Sequence, residues 1–298
     1  MASIVFGGAL SHSPMMNYPI TRDHAPVERF RSAVREMGVR LRAAKPDAIV
    51  LFGPDHFRAL FYDLMPAFTV GLHGISGWGD WNTPEGPFPA SPGFGESIVQ
   101  ALLADGFEPA FSHELKVDHG ITQPLQLMNL EAVPLLPIVV NAAAPPLPTP
   151  SRCHAFGAAV GRAIRNAPQN LRVAVLASGG LSHDPPKPSD ENCLHGRTNG
   201  FAASRERETR LISKATVLQS RINPEWDRMV LDHFISGEVG TLAGKLTTQS
   251  IFEAAGNGGQ EIRTWFAAAG ALEDARMELL SYEPIDELIT GMGVIVSS

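Results

Sequence analysis

Apolar and polar positions along the chain fall into two patterns, short apolar runs and longer amphipathic segments. Runs with almost no polar residue cover residues 4–10, 47–52, 133–141 and 172–177, which is typical of strands buried on both faces of a sheet. Between such runs, apolar residues recur every three or four positions, as in residues 26–41, and this spacing predicts helices whose apolar stripe covers the sheet. The pattern predicts an α/β fold with a central, mostly parallel or mixed sheet flanked by helices.

A single domain over residues 1–298 is favoured. Four prolines between residues 142 and 150 suit either a linker between two domains or a stiff crossover within one domain, and we favour the crossover. A chain of 298 residues is long enough to bury a substantial core.

The connecting segments give weaker predictions. Residues 57–92 are rich in Gly, Pro, Trp and Phe and predict a long irregular wall or lid, in which Trp78 and Trp81 either line a pocket or pack a loop. We favour packing for both, and we expect Ser91 and Pro92 to begin the next helix as its N-cap and first-turn proline. The remaining expectations are a loop over residues 185–200, mostly helix over residues 201–276 and an edge strand over residues 291–296.

Composition and charge argue against several kinds of partner. The formal net charge is -7 and no basic stripe occurs, which argues against nucleic-acid binding. No apolar run approaches the roughly 20 residues that span a bilayer, and the first residues lack the basic region of a secretory signal, so we expect a cytoplasmic protein without membrane contact. Cys153 and Cys193 are expected to be free thiols. Small molecules are the expected ligands.

Histidines occur where apolar runs break into small, turn-forming residues. His12, His56 and His183 each follow a predicted strand, and His119 lies in a similar segment, where we expect it to open a loop. Open α/β sheets bind ligands at the carboxyl ends of their strands. We therefore predict that the four imidazoles line one pocket and that the active site lies at the strand ends.

A metal ion is one chemistry that these residues permit. Two imidazoles and one carboxylate on one face of an octahedral ion leave three positions free, which suits ferrous iron that holds a bidentate substrate and dioxygen together. His12, His56 and Glu261 are the candidates, and Glu261 follows a glycine-rich turn at the start of a helix. Spacing leaves the choice open, since no short metal signature occurs, and turn histidines bonded to carbonyls or a first-turn acid explain the same residues without a metal.

Five stretches of the chain carry a family resemblance. They are residues 10–14 (LSHSP), 61–66 (FYDLMP), 117–120 (VDHG) with Gln123-Pro124, 178–183 (SGGLSH) with Pro185-Pro186, and 261–265 (EIRTW). In this order they resemble the type II extradiol ring-cleavage dioxygenases, the superfamily that includes protocatechuate 4,5-dioxygenase, over nearly the whole chain. Residues 190–201 and the glycines before Glu261 depart from the pattern, which leaves the ring substituent of the substrate open.

The resemblance implies a role for each candidate residue. It implies that His12, His56 and Glu261 bind Fe(II), that His183 accepts a proton from a catechol hydroxyl, and that His119 later donates a proton to the leaving oxygen. It also implies a homo-oligomer that cleaves a substituted catechol with O2 to a hydroxymuconic-semialdehyde-type product in aromatic catabolism.

The first candidate substrate is 3-(2,3-dihydroxyphenyl)propionate or a close analogue. Protocatechuate, gallate, methylgallate or an aminophenol remain alternatives, and the residues that bind the ring substituent are unassigned. Two functions of a different class are also alternatives: a zinc hydrolase and a non-catalytic binding protein with the same fold.

Overall fold

An eight-stranded sheet forms the centre of the protein. Its strands are β1 (Ser3–Leu10), β2 (Ala48–Gly53), β3 (Phe68–Gly77), β4 (Ala110–Val117), β5 (Leu135–Val140), β6 (Arg172–Ser178), β7 (Met277–Ile285) and β8 (Thr290–Ser297). The computed structural model describes residues 1–19, 24–91, 93–185, 189–198 and 221–297.

The strand order is β4-β3-β5-β2-β6-β1-β8-β7. The four central strands β5, β2, β6 and β1 run parallel, whereas β3 and β8 pair with this block in antiparallel fashion. The sheet is therefore mixed, as the sequence predicts. Because β2, β6 and β1 are parallel neighbours, the segments that follow them leave the sheet at the same edge.

Helices cover both faces of the sheet. They are α1 (Ala25–Ala43), α2 (Phe94–Ala104), α3 (His119–Met128), α4 (Pro150–Asn166), α5 (Asp190–His195), α6 (Pro224–Ser236), α7 (Val239–Lys245), α8 (Thr248–Ala255) and α9 (Ile262–Ala271). Apolar residues of α1 and α3 belong to one buried cluster, and those of α2, α4, α6, α7, α8 and α9 belong to another. Among the described residues, no helix is both long and apolar enough to cross a bilayer.

Strand β2 shows why the apolar runs lack polar residues. Val50 and Phe52 point into the cluster on one face of the sheet, whereas Ile49 and Leu51 point into the cluster on the other. All four side chains are fully buried, since successive side chains of a strand alternate between faces and both faces are covered. The predicted α/β fold with one helix-flanked sheet is confirmed.

The prediction of an irregular segment over residues 57–92 is wrong, because β3 lies within it. Its glycines interrupt the apolar run that would have marked a strand. A Cβ atom at Gly71 would lie 2.8 Å from the Pro137 ring, and one at Gly77 would collide with the Pro84 carbonyl. Neighbouring segments of the chain approach this strand so closely that glycine is required at these two positions.

Three boundary predictions are also wrong. Helix α2 begins at Phe94 with Gly93 as its N-cap (φ 75°), not at Ser91, and Pro92 lies outside the described residues. The expected loop over residues 185–200 contains α5. Strand β8 is not the sheet edge, because β7 pairs along its outer side.

The helical prediction over residues 201–276 has a mixed outcome. From residue 221 onward it is confirmed by α6 to α9, and residues 201–220 lie outside the described part of the chain.

Candidate active site

One cavity of about 300 Å³ is lined by all five predicted site residues. His12, His56 and His183 follow β1, β2 and β6, three of the four central parallel strands. Glu261 lies directly before α9, and His119 is the first residue of α3 rather than the start of a loop, which corrects the prediction for His119.

His12 and His56 are each held by one ring nitrogen. His12 Nδ1 lies 2.9 Å from Ser178 Oγ. His56 Nδ1 lies 2.9 Å from Asp118 Oδ2, and the same oxygen accepts the backbone N–H of His56 at 2.7 Å. This leaves Nε2 of each ring for Glu261, at 3.7 Å from Oε2 for His12 and 3.1 Å from Oε1 for His56.

Glu261 is a buried carboxylate at the centre of the site. Its Oε2 accepts the backbone N–H of Gly180 at 2.7 Å, and its Oε1 lies 3.5 Å from His183 Nε2. Burial alone would raise the Glu261 pKa. The charges and hydrogen bonds of His12, His183 and His56 outweigh burial and hold that pKa well below its usual range.

The imidazoles differ in charge. Burial lowers the His12 pKa to about 3, which makes this ring neutral at pH 7. Burial also opposes charge on His56, but Asp118 and Glu261 raise its pKa well above the usual value. The His183 pKa is raised too, because Glu261 outweighs the effect of burial. The shifts of His56 and Glu261 both favour an ion pair between these two side chains, and a bound cation would take the place of the His56 proton.

His119 and His183 are held by different acceptors. His119 Nδ1 lies 2.7 Å from Asp80 Oδ2, and its ring stacks on that of His56 at 4.3 Å between centroids. His183 Nδ1 donates to the Leu181 carbonyl at 2.8 Å. In both rings Nδ1 is engaged, which leaves Nε2 as the atom available for proton transfer.

The donor set fits a divalent metal ion. Ring nitrogens of His12, His56 and His119 lie within 4.8 Å of one another, and Glu261 approaches the first two of these rings. Metal-binding histidines usually give their second ring nitrogen to a carboxylate, carbonyl or water, and the Nδ1 contact of His56 follows this rule. A site of imidazole nitrogens and one carboxylate oxygen suits first-row transition metals.

The remaining wall of the cavity is mainly apolar. Its larger members are Met15, Phe57, Trp81, Leu147, Phe252 and Ile289. The preference for Trp81 as a packing residue is wrong, since this buried ring lines the cavity, whereas Trp78 packs under the Lys116 ammonium group. Phe57 has a positive φ of 54°, a strained conformation for a bulky residue and one often found beside functional groups.

Sequence reasoning missed the residues that orient the histidines. Asp118 and Ser178 belong to the motifs VDHG and SGGLSH, so their position beside the histidines was an available signal. Asp80 and Arg58 lie in no such motif, and only the fold brings Asp80 to His119 and Arg58 to Asp80.

Comparisons with known proteins show which family the chain resembles. Residues 8–293 match the family model described as the catalytic LigB subunit of aromatic ring-opening dioxygenase. The chain is 37% identical to a 2,3-dihydroxyphenylpropionate/2,3-dihydroxicinnamic acid 1,2-dioxygenase of Photorhabdus laumondii, with 96% of this chain and 94% of the relative covered. A relative of the same name from Rhodococcus jostii is also 37% identical, with 96% and 95% covered.

A solved structure gives independent support for the fold alone. An uncharacterized protein from Escherichia coli K12 superposes with a TM-score of 0.54 at 14% identity, over 99% of this chain and 100% of that one. The match to the family model spans nearly the whole chain, and so do the matches to the two relatives. The chain therefore belongs to the family of catalytic LigB subunits of aromatic ring-opening dioxygenases, as the sequence motifs predict.

Proposed function

We propose that the protein uses Fe(II) and O2 to cleave the ring of 2,3-dihydroxyphenylpropionate, or of its cinnamic acid analogue, at the extradiol position. As a family member it is an extradiol dioxygenase, and enzymes of this family are metal-dependent. The substrate is proposed because relatives at 34 to 37% identity carry that name. The observation that carries the proposal is the approach of the Nε2 atoms of His12 and His56 to Glu261 inside one buried cavity.

His12, His56 and Glu261 are the proposed iron ligands. This assignment is supported by the hydrogen bond that holds each side chain in place. Ser178 holds His12, Asp118 holds His56, and the backbone N–H of Gly180 holds Glu261. An iron ion held there supplies open positions where a catechol and dioxygen meet, and it lowers the pKa of the catechol hydroxyls.

His183 is the proposed proton acceptor. Its Nδ1–H donates to a backbone carbonyl, so the neutral ring carries its lone pair on Nε2. That atom lies 3.5 Å from Glu261 Oε1, beside the proposed ligands, where it can take the proton of a catechol hydroxyl.

His119 is the proposed proton donor. Its ring is buried and stacks on that of His56, on the side of the cavity that Trp81 borders. A proton on Nε2 can be given to the oxygen that leaves when the ring opens. The apolar wall excludes water that would otherwise exchange these protons.

The proposal takes residues 1–298 as one catalytic domain and includes the homo-oligomeric state and cytoplasmic location expected from the sequence. Light scattering after size-exclusion chromatography measures the mass of the assembly, and fractionation of the source cells measures the location.

Oxygen uptake by anaerobically iron-loaded protein tests the function. With 2,3-dihydroxyphenylpropionate we expect one O2 consumed per substrate and a yellow ring-opened product. Protocatechuate, gallate, 3-O-methylgallate and 2-aminophenol form the comparison panel, and faster cleavage of any of these would replace the proposed substrate.

Two results would reject the reaction itself. Hydrolysis of a test ester without O2 uptake would indicate a zinc hydrolase. Failure to bind iron during anaerobic loading would indicate a binding protein.

A further inference from the structure

A buried carboxylate outside the predicted site contacts the proposed proton donor. Asp80 is 3% exposed, and its Oδ2 lies 2.7 Å from His119 Nδ1. The same oxygen lies 3.3 Å from Nε of Arg58, which is 1% exposed. A buried anion is costly unless a cation accompanies it, so Arg58 offsets part of the cost of placing this carboxylate beside the ring.

The two proposed proton-transfer histidines therefore have unlike partners. The Asp80 carboxylate accepts the Nδ1–H of His119, whereas the Leu181 backbone carbonyl accepts the Nδ1–H of His183. Each ring is thus held through Nδ1 and presents Nε2 to the cavity.

A strained turn delivers Asp80 to this position. Gly79, Trp81 and Asn82 have positive φ angles of 68°, 56° and 59°, and two of these three residues are not glycine. The Asn17 side chain donates to the carbonyls of Trp81 at 3.0 Å and of Asn82 at 3.4 Å. Such strain persists where surrounding contacts over-determine the backbone, and it often accompanies function.

We propose that Asp80, supported by Arg58, is a positioning residue for His119: it accepts the Nδ1–H of that ring and fixes its orientation, so that Nε2 faces the cavity where the proposed proton transfer takes place. This inference rests on the proposed function for the role of His119. The Asp80–His119 contact can be tested separately.

Asp80→Asn is the central variant, because it removes the charge with little change in shape. We expect kcat for ring cleavage to fall about 10- to 100-fold, the range for outer-shell substitutions. KM for the catechol and the iron content should stay within about twofold, since Asp80 is not proposed to contact either. Asp274→Asn is the matched control, since Asp274 lies 2.8 Å from His154 Nε2 outside the cavity and the variant should keep full kcat.

A second measurement needs no change at Asp80. In full-length protein loaded with diamagnetic Zn(II), ¹⁵N-histidine NMR should show His119 protonated on Nδ1, with the signal identified by its loss in His119→Phe. An unprotonated Nδ1 in the wild type would overturn the inference, even if Asp80→Asn fails to fold.

Other outcomes separate this inference from the proposed function. Full kcat in Asp80→Asn, or a loss of kcat that only parallels a loss of iron, would reject Asp80 as a positioning residue and leave the proposed function intact. A wild type that cleaves no catechol would reject the proposed function, while the NMR measurement would still decide the Asp80–His119 contact.

Discussion

Each of the four cavity histidines is oriented through its Nδ1 atom. The groups on the far side of the rings are a hydroxyl, a carbonyl and two carboxylates, and they belong to Ser178, Leu181, Asp80 and Asp118. The same atom, Nε2, is thereby left for each ring's proposed task. His73 also contacts a carboxylate, that of Glu96, but it is exposed and does not line the cavity.

Substitution of either proposed proton-transfer residue should separate metal binding from catalysis. We expect His119→Phe and His183→Phe to keep iron but to lower kcat by about 10²- to 10⁴-fold, the usual contribution of a general acid or base. Iron content and oxygen uptake measure the two effects, with exposed His73→Ala as the unchanged control. Normal turnover in both Phe variants would remove the assigned roles.

Glu261→Ala should instead abolish metal binding. The variant leaves two imidazoles without an anionic ligand, so we expect iron affinity to fall by more than about 100-fold, beyond the usual effect of an outer-shell residue. Anaerobic iron titration gives the affinity, and Glu36→Gln at an exposed position of α1 serves as the control. Unchanged iron stoichiometry with full turnover in Glu261→Ala would contradict its role as a ligand.

At the level of residues, the sequence predicts which side chains line the cavity but not their supports. The four histidines and Glu261 lie beside strand or helix ends, which made them candidates, and the family resemblance then grouped all five into one site. Asp80 becomes a neighbour of His119 only through the turn that follows β3, and β3 itself was missed.

At the level of elements, strands with continuous apolar runs were predictable and the outer strands were not. Central strand β2 is buried on both faces and lacks polar residues. Edge strand β7 reads MELLSYEPI, and its mixed exposure produces neither a continuous run nor a clean alternation. Since β7 was missed, its inner neighbour β8 was assigned to the edge. Whether such a segment forms a strand, and whether that strand lies at the edge, depends on the strands it pairs with, which the local sequence pattern does not show.

Helices α4 and α9 cross at glycines, and this contact supports the helix that directly follows Glu261. A Cβ atom at Gly157 would collide with the Ala267 carbonyl. We therefore expect Gly157→Ala to destabilise the protein by about 1 to 3 kcal/mol through overpacking, and to weaken iron binding as α9 shifts.

Gly244→Ala is the matched control for that substitution. Gly244 lies in α7 with no atom within 4 Å of its added Cβ, so we expect no loss of stability and a gain of up to about 1 kcal/mol from helix propensity. Urea denaturation and iron titration compare the variants, and equal stability of the two would contradict close packing at Gly157.

At the level of the whole molecule, Asp227 joins three distant parts of the chain. From α6 it accepts the backbone N–H of Ser182 at 2.8 Å and the hydroxyl of Tyr282 in β7 at 2.7 Å. Burial raises the Asp227 pKa above its usual 3.8, despite hydrogen bonds that lower it. The folded protein therefore holds this proton more tightly than the unfolded chain does.

The unfolding free energy should respond to pH accordingly. The stabilising effect of the Asp227 proton is fully present below about pH 3.8 and is lost as pH rises through the raised folded pKa, by about 1.4 kcal/mol for each unit of difference. Relative to Asp227→Asn, the wild type should thus become less stable over that pH interval. Urea denaturation across pH checks this, and a wild type that gains stability relative to the variant there would contradict the raised pKa.

The position of β1, β2 and β6 in the middle of the sheet has a thermodynamic consequence. A ligand that binds only when these three strands are paired must be lost when the sheet unfolds, so its binding free energy adds to the stability of the whole molecule. At a free concentration 100 times the dissociation constant, this linkage amounts to about 2.7 kcal/mol. Calorimetry should therefore show one melting transition that moves upward with the concentration of free ferrous ion, instead of a separate event confined to the cavity.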